Sequence, residues 1–289
     1  AVKAAGKLYR ARCSAQLNQL SDWICHAPNY VLPRSAVREK NVVSVHDLSI
    51  YRYPHLHPRD RVNFMEHYLP RSVANAARII VASQSIAAEV VEHFKIDEQI
   101  VRVIPFGVRS IFLSDPASAQ NAQEHERRKL PAQLRSGPYL LFVNGADPRK
   151  NLADTLKAFE LFATENRADN WKLAVTGDSS KLTEASKQNN VVRLGYPDES
   201  ALALLYRQAQ GLCYPSKYEG FGMPVIEALA SGTPVLTSRT PTLMEFSNMP
   251  GVVTPTEDSV SGLFEGIEKL VSSALRDAAQ SNKLKAREK

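Results

Sequence analysis

Cysteine is scarce in this chain, with three residues, Cys13, Cys25 and Cys213, among 289. They follow no metal-like spacing, so buried free thiols in a reducing cytoplasm are expected rather than a disulfide framework. Long apolar runs are absent too, and no stretch approaches the roughly 20 residues that cross a bilayer as a helix. The first residues lack an apolar core followed by a small-residue cleavage site, so no secretory leader is expected. No short-period repeat, collagen-like tract or glutamine-rich tract occurs, which excludes solenoid and fibrous classes. A closed metal-ligand spacing is also missing. His55, His57 and His67 crowd together, but no Asp or Cys completes a set, and Pro54 and Pro58 make that stretch a rigid loop. No metal is expected.

What is present is enough apolar content, 44% of 289 residues, for two medium cores. The net charge of +6 is unevenly placed: Lys and Arg outnumber Asp and Glu 15 to 9 over residues 1–110 and stand 21 to 21 over the rest. A basic first half suits an anionic partner, such as membrane headgroups or a lipid-diphosphate acceptor, and equally an ordinary basic surface. Nucleic acid is not expected, because aromatic residues do not interleave with the basic ones in a recognised binding pattern.

From Pro138 onward apolar strands alternate with helices. Strands are expected at Tyr139–Val143, Trp171–Thr176, Val191–Leu194, Gly211–Tyr214, Val235–Thr237 and Val252–Thr254. Leu152, Leu156, Phe159 and Phe162 mark a helix over 151–166 with Asn151 as its N-cap. The pattern predicts a parallel, doubly wound α/β sheet, whose ligands bind beyond the carboxyl ends of its strands. The first part repeats the theme, with strands at Trp23–His26, Val42–His46, Ile79–Ala82 and Val101–Ile104 and helices at Arg59–Asn75 and Ser85–Phe94. The expected division is a Rossmann-like domain over 1–110, a polar linker with a solvated helix over 111–137, and a second Rossmann-like domain over 138–289. A cleft between the two is expected.

The stretch from Lys217 to Pro234 concentrates chemistry. Pro224 suits the first position of a helix, and Gly232 with Pro234 ends that helix about two turns later. The N–H groups around Phe221, Gly222, Met223 and Val225 would lie at its positive end, where glycine lets a diphosphate approach the backbone. Glu227 is expected in the first turn, accepting hydrogen bonds from paired ribose hydroxyls, and Glu219 in the preceding loop, reaching the group beyond the phosphates. Taken singly, Glu227 reads equally well as an acid complementing the helix dipole, and Glu219 as a solvated loop residue. A second loop, Asn144-Gly145-Ala146-Asp147-Pro148-Arg149-Lys150-Asn151, follows a strand and opens a helix, putting two cations beside a glycine. Gly177, Leu194 and Tyr196 end other strands on that edge and offer backbone groups to a nucleotide base. Tyr196 either stacks on a purine or covers the sheet.

The segment Glu219-Gly220-Phe221-Gly222-Met223-Pro224-Val225-Ile226-Glu227 resembles the E-x7-E signature of retaining, GT-B-fold glycosyltransferases of family four, which includes bacterial polysaccharide mannosyltransferases. Gly232-Thr233-Pro234-Val235 continues that resemblance. So do Cys25-His26-Ala27-Pro28, Val45-His46-Asp47, Ala77–Ser83 and Val103–Val108 in the first half. Relatives usually begin well upstream of the His-Asp landmark and end in a helix crossing back to the first domain, so the chain is expected to be short at both ends.

The resemblance implies transfer of a hexose, mannose-type favoured, from a nucleotide diphosphate sugar, GDP-linked favoured, to a saccharide or lipid-linked acceptor. Such transfer passes through an oxocarbenium-like transition state, so steadying the departing diphosphate is the main task. Lys150 matches the family's phosphate-contacting lysine. Where many relatives carry an arginine after the glycine, this chain has Ala146, and either Arg149 compensates or Lys150 and the helix amides carry the load. His46 as an isolated feature reads as a structural histidine, whereas the resemblance places it near the anomeric carbon. No cofactor and no metal are implied, and the reading is of a cytoplasmic enzyme, with peripheral membrane contact through the basic half. The rival reading is a non-catalytic sugar-nucleotide- or nucleic-acid-binding module on the same fold.

Overall fold

The structure is a computed structural model that describes residues 23–33, 38–113, 125–165, 170–178, 190–272, 274–275 and 277–280. Cys13 and the terminal residues 281–289 lie outside these. The chain divides into two compact units, Ala1–Phe106 and Gly107–Lys289.

In the first unit four parallel strands run in sequential order: β1 (Cys25–Ala27), β2 (Asn41–Ser44), β3 (Arg78–Val81) and β4 (Val101–Val103). Helix α1 (Arg59–Ala74) joins β2 to β3 and α2 (Gln84–Phe94) joins β3 to β4. The side chain of Ser83 caps α2 by accepting from the N–H of Ile86. The first strand is shorter than expected. Trp23 and Ile24 precede it and are 70% and 72% exposed, because β2 starts at Asn41, opposite Cys25, and a 3-10 turn at Arg38–Lys40 offers no partner backbone further back.

The second unit holds β5 (Tyr139–Phe142), β6 (Lys172–Thr176), β7 (Val191–Gly195), β8 (Gly211–Tyr214), β9 (Val235–Thr237) and β10 (Val252–Val253). All pair in parallel, in the order β10-β9-β8-β5-β6-β7. Strand order reverses between β5 and β8, and the crevice at such a reversal is where doubly wound sheets take their ligands. The sheet is buried on both faces, which explains its continuous apolar runs. Along β5, Tyr139 and Leu141 enter one core with α4 (Glu199–Gln208) and α5 (Met223–Ala230), while Leu140 and Phe142 enter the other with α3 (Leu152–Glu165) and α6 (Val260–Leu270).

Asn151 holds the N-cap position of α3, its carbonyl accepting from the N–H of Thr155, although it sits in the left-handed region (φ 64°) and also closes the 3-10 turn Pro148–Lys150. The stretch expected as a linker is not solvated throughout. Phe112, Leu130 and Leu134 are buried in the core beneath α4 and α5, and Glu126 pairs with Arg207 of α4 at 3.0 Å. Polar neighbours conceal two of these core positions, Leu130 and Leu134, while Phe112 stands between Ile111 and Leu113 at the start of the stretch. Phe112→Ala is therefore expected to destabilise the second unit by about 3–5 kcal/mol, the usual cost of truncating a buried aromatic, measured by denaturant unfolding. A linker residue would change stability by less than about 0.5 kcal/mol.

Candidate functional site

The loops after β5 and β8 emerge side by side at the strand-order reversal. Their backbones are tied, with the N–H of Lys217 donating to the carbonyl of Arg149 at 2.7 Å. On the other side, Gly145 lets the β5 loop pack closely against β6, since a Cβ there would meet Val175 Cγ1 at 2.7 Å. Its N–H donates to the carbonyl of Thr176, and that of Gly177 to the carbonyl of Gly195, which stitches the carboxyl ends of β5, β6 and β7 into one edge.

Lys150 and Glu219, 69 residues apart, meet in this crevice. The Lys150 ammonium is bonded to the Glu219 carboxylate and donates to the hydroxyl of Tyr214 at 2.7 Å. That hydroxyl donates to Glu219 Oε1, also at 2.7 Å. Burial, reinforced by the neighbouring carboxylate, pushes the Tyr214 hydroxyl well above its ordinary range, so it stays a donor. Lys150 is 7% exposed, and a charge so buried requires partners of this kind. Thr242 fixes the loop from the far side by donating to the Glu219 carbonyl at 2.8 Å.

Arg149, expected either to compensate for Ala146 or to leave the load to Lys150, is engaged by a neighbouring acid. Its guanidinium and backbone N–H both bond to Asp147, with Nη2 at 2.7 Å from Oδ2. Burial pulls the Asp147 carboxyl upward, but its bonds to Arg149 outweigh this and hold it below its usual range. A phosphate brought to this loop would therefore compete with Asp147 for Arg149.

Helix α5 starts at Met223, placing Pro224 second rather than first. Gly222 precedes it with φ 102°, a conformation glycine adopts without strain. The N–H of Val225, expected to face a ligand, is instead bonded to the Gly222 carbonyl. Phe221 packs edge-on against Phe246, with ring centroids 5.6 Å apart. The helix closes in a Schellman motif, the N–H groups of Gly232 and Thr233 returning to the carbonyls of Leu229 and Ala228.

Glu227 is the fifth residue of α5, beyond the first turn, so complementing the helix dipole does not explain it. It is buried, and the hydroxyl of Tyr206 donates to its Oε2 at 3.1 Å. Arg109 Nη2 stands 4.0 Å from Oε1. Burial raises its pKa, opposed by the Tyr206 bond and the Arg109 charge.

At the outer strands, Leu194 lies within β7 and Tyr196 just beyond it, 76% exposed. Tyr196 therefore does not cover the sheet. Cys213 is buried in β8, its thiol pushed up to about 12 by burial, whereas Cys25 is only half-buried.

His46 belongs to the first unit. The strand expected to run through it ends at Ser44. Its Nε2 lies 2.9 Å from the Pro28 carbonyl, which can only accept, so a neutral ring presents Nδ1 as an acceptor rather than a donor. Tyr30 and Phe106 flank it, with ring centroids at 5.3 and 5.8 Å. Asp47 caps the next turn by accepting from the N–H of Ser49 at 2.8 Å. Among the described residues no three His, Cys, Asp or Glu side chains converge on a point that could hold a metal ion, and no helix is long and apolar enough to cross a membrane.

Tyr214, Tyr206 and Arg109 were not singled out by sequence reasoning. Tyr214 ends a strand directly before the glutamate loop, which is a usable signal. Tyr206 and Arg109 carry none, because their roles arise only when α4, α5 and the segment after Phe106 pack together.

Residues 123–288 match the family described as Glycosyl transferases group 1, and residues 12–110 match Glycosyltransferase Family 4. O-antigen chain mannosyltransferase B of Escherichia coli is 30% identical over 266 residues, covering 89% of this chain and 68% of that protein. O-antigen chain mannosyltransferase RfbU of Salmonella typhimurium is 27% identical over 213 residues, 70% of this chain and 53% of that one. Among solved structures, WaaG, a glycosyltransferase involved in lipopolysaccharide biosynthesis, superposes with a TM-score of 0.70 at 19% identity, covering 97% of this chain and 78% of WaaG. That likeness is one of fold. With parallel α/β sheets in both units and the two family matches, the chain belongs to the group 1 glycosyltransferases of the GT-B fold.

Proposed function

We propose that this protein moves a mannose-type hexose from a nucleotide diphosphate sugar, GDP-linked, to a saccharide or lipid-linked acceptor of a cell-surface polysaccharide, with retention of configuration and without a metal. The observation that carries the reading is the convergence of Lys150 and Glu219 on the strand-order reversal beside the start of α5. A diphosphate placed there meets the ammonium of Lys150 and the positive end of the helix, the groups that steady a departing diphosphate. Glu227 then accepts from the ribose hydroxyls and Glu219 faces the sugar. The mannosyltransferase relatives support the choice of sugar. A cytoplasmic location, with the basic first half against an anionic membrane, belongs to the same proposal.

In the ligand-free protein Lys150 is neutralised by Glu219. An arriving diphosphate takes over the ammonium and frees the carboxylate for the sugar, so binding and catalytic assembly are one exchange of partners.

Three outcomes are expected. In a thermal-shift panel of GDP, UDP and ADP, GDP raises Tm, by the equivalent of about 2.7 kcal/mol at a hundredfold excess over Kd. No shift from any nucleotide contradicts the proposal. In steady-state transfer assays, Glu227→Gln raises donor KM, whereas Glu219→Gln lowers kcat, and parental rates in both variants would rule out the site. In unfolding experiments, Glu219→Ala strands a buried ammonium and costs about 3–5 kcal/mol, while adding Lys150→Met restores much of that loss.

A further inference from the structure

The second carboxylate of the site sits in an ionic arrangement of its own. Arg109 lies three residues after the end of the first unit, which closes at Phe106. It is followed by the helical turn Ser110–Leu113, which anchors it to the second unit. Phe112 of that turn is buried against the ring of Tyr206, with centroids 5.8 Å apart, and its carbonyl accepts from Ser231 Oγ at the end of α5. The Arg109 guanidinium rests over the Phe112 ring, 5.5 Å from its centroid. From that platform it is bonded to Glu199, the first residue of α4, and reaches to 4.0 Å from Glu227. Tyr206 presents its other end to Glu227, donating at 3.1 Å. One cation is thus shared by two carboxylates, of which only Glu227 is buried.

We propose that Arg109 is a positioning residue for Glu227 and that Glu199 competes for it, so that the sharing of this guanidinium sets how well Glu227 accepts the ribose hydroxyls of the donor. The inference rests on the donor-site reading above. Glu227 must be ionised to accept from two hydroxyls at once. Burial works against ionisation, and the groups that act on it among the described residues are Tyr206 and Arg109, which favour the charged form, and Glu199, which opposes it. Arg109 and Glu199 are more than one-third exposed, so solvent screens their effect and the expected changes are modest. They are also opposite in sign. A purely structural role for Arg109 would lower Tm and leave the pH dependence of binding where it was.

The test measures GDP affinity by calorimetry as a function of pH for the parent, Arg109→Gln, Arg109→Lys, Glu199→Gln and Glu227→Gln, with Tm recorded for each. The carboxyl ¹³C titration of Glu227 in the ligand-free full chain accompanies it. Donor affinity falls as pH drops through the Glu227 pKa. Arg109→Gln moves that fall to higher pH and weakens GDP about two- to fivefold at neutral pH. Arg109→Lys restores most of the parental profile, and Glu199→Gln moves the fall to lower pH. The ¹³C midpoints shift in the same two directions without ligand. Unchanged midpoints in both variants, or shifts of the same sign, overturn the inference. GDP binding lost in Glu227→Gln but with the parental pH profile kept in Arg109→Gln overturns this inference alone. A parent that binds no nucleoside diphosphate overturns it together with the donor-site reading.

Discussion

The candidate site of the second unit is built around one buried ion pair. Lys150 and Glu219 belong to loops that follow β5 and β8, strands adjacent in the sheet but separated in sequence by two others. Each charge alone would be costly in this crevice, and the pair, closed by the Tyr214 hydroxyl, makes the two loops compatible with burial. The strand order brings the residues together, and their charges then hold the loops at fixed separation. The backbone bond from Lys217 to Arg149 and the contact of Thr242 with the Glu219 carbonyl secure the same geometry without adding charge.

A second network repeats this logic at Glu227 with weaker parts. Tyr206 is fully buried and held protonated, so it is a permanent donor to the carboxylate. Arg109 is largely exposed and shared. The two glutamates of one motif are thus set up differently, Glu219 locked to a buried cation and Glu227 held by a neutral hydroxyl and tuned by a cation at the surface. That difference fits the roles proposed for them. A carboxylate that must exchange partners during reaction needs a strong partner to exchange, whereas one that only receives hydroxyls needs its position and ionisation maintained.

Much of the fold is legible in the sequence because parallel strands buried on both faces leave unbroken apolar runs. Tyr139–Phe142 and Gly211–Tyr214 show this directly. The helix at Met223–Ala230 is legible from Pro224 and Gly232, one residue off at its start. Less legible are features decided by a distant partner. Trp23 and Ile24 look like strand residues, but the neighbouring strand begins too late to pair with them. Leu130 and Leu134 are hidden in a polar stretch and become core only when α4 and α5 cover them. Whether Arg149 compensates for Ala146 is not legible, because sequence alone does not reveal that Asp147, two residues earlier, folds back to chelate it. His46 is visible as a histidine just past an apolar strand, yet its bond to the Pro28 carbonyl, which settles which ring nitrogen donates, is a tertiary fact.

In the proposed reaction the loops after β5 and β8, joined through Lys150 and Glu219, receive the donor's diphosphate. Amide hydrogen exchange of the full chain with and without GDP tests this most directly, because it reports where the ligand orders the backbone. Added protection concentrated in residues 144–151 and 219–225 is expected. Protection confined to other segments, with these two loops exchanging at their ligand-free rates while GDP is bound, would contradict it.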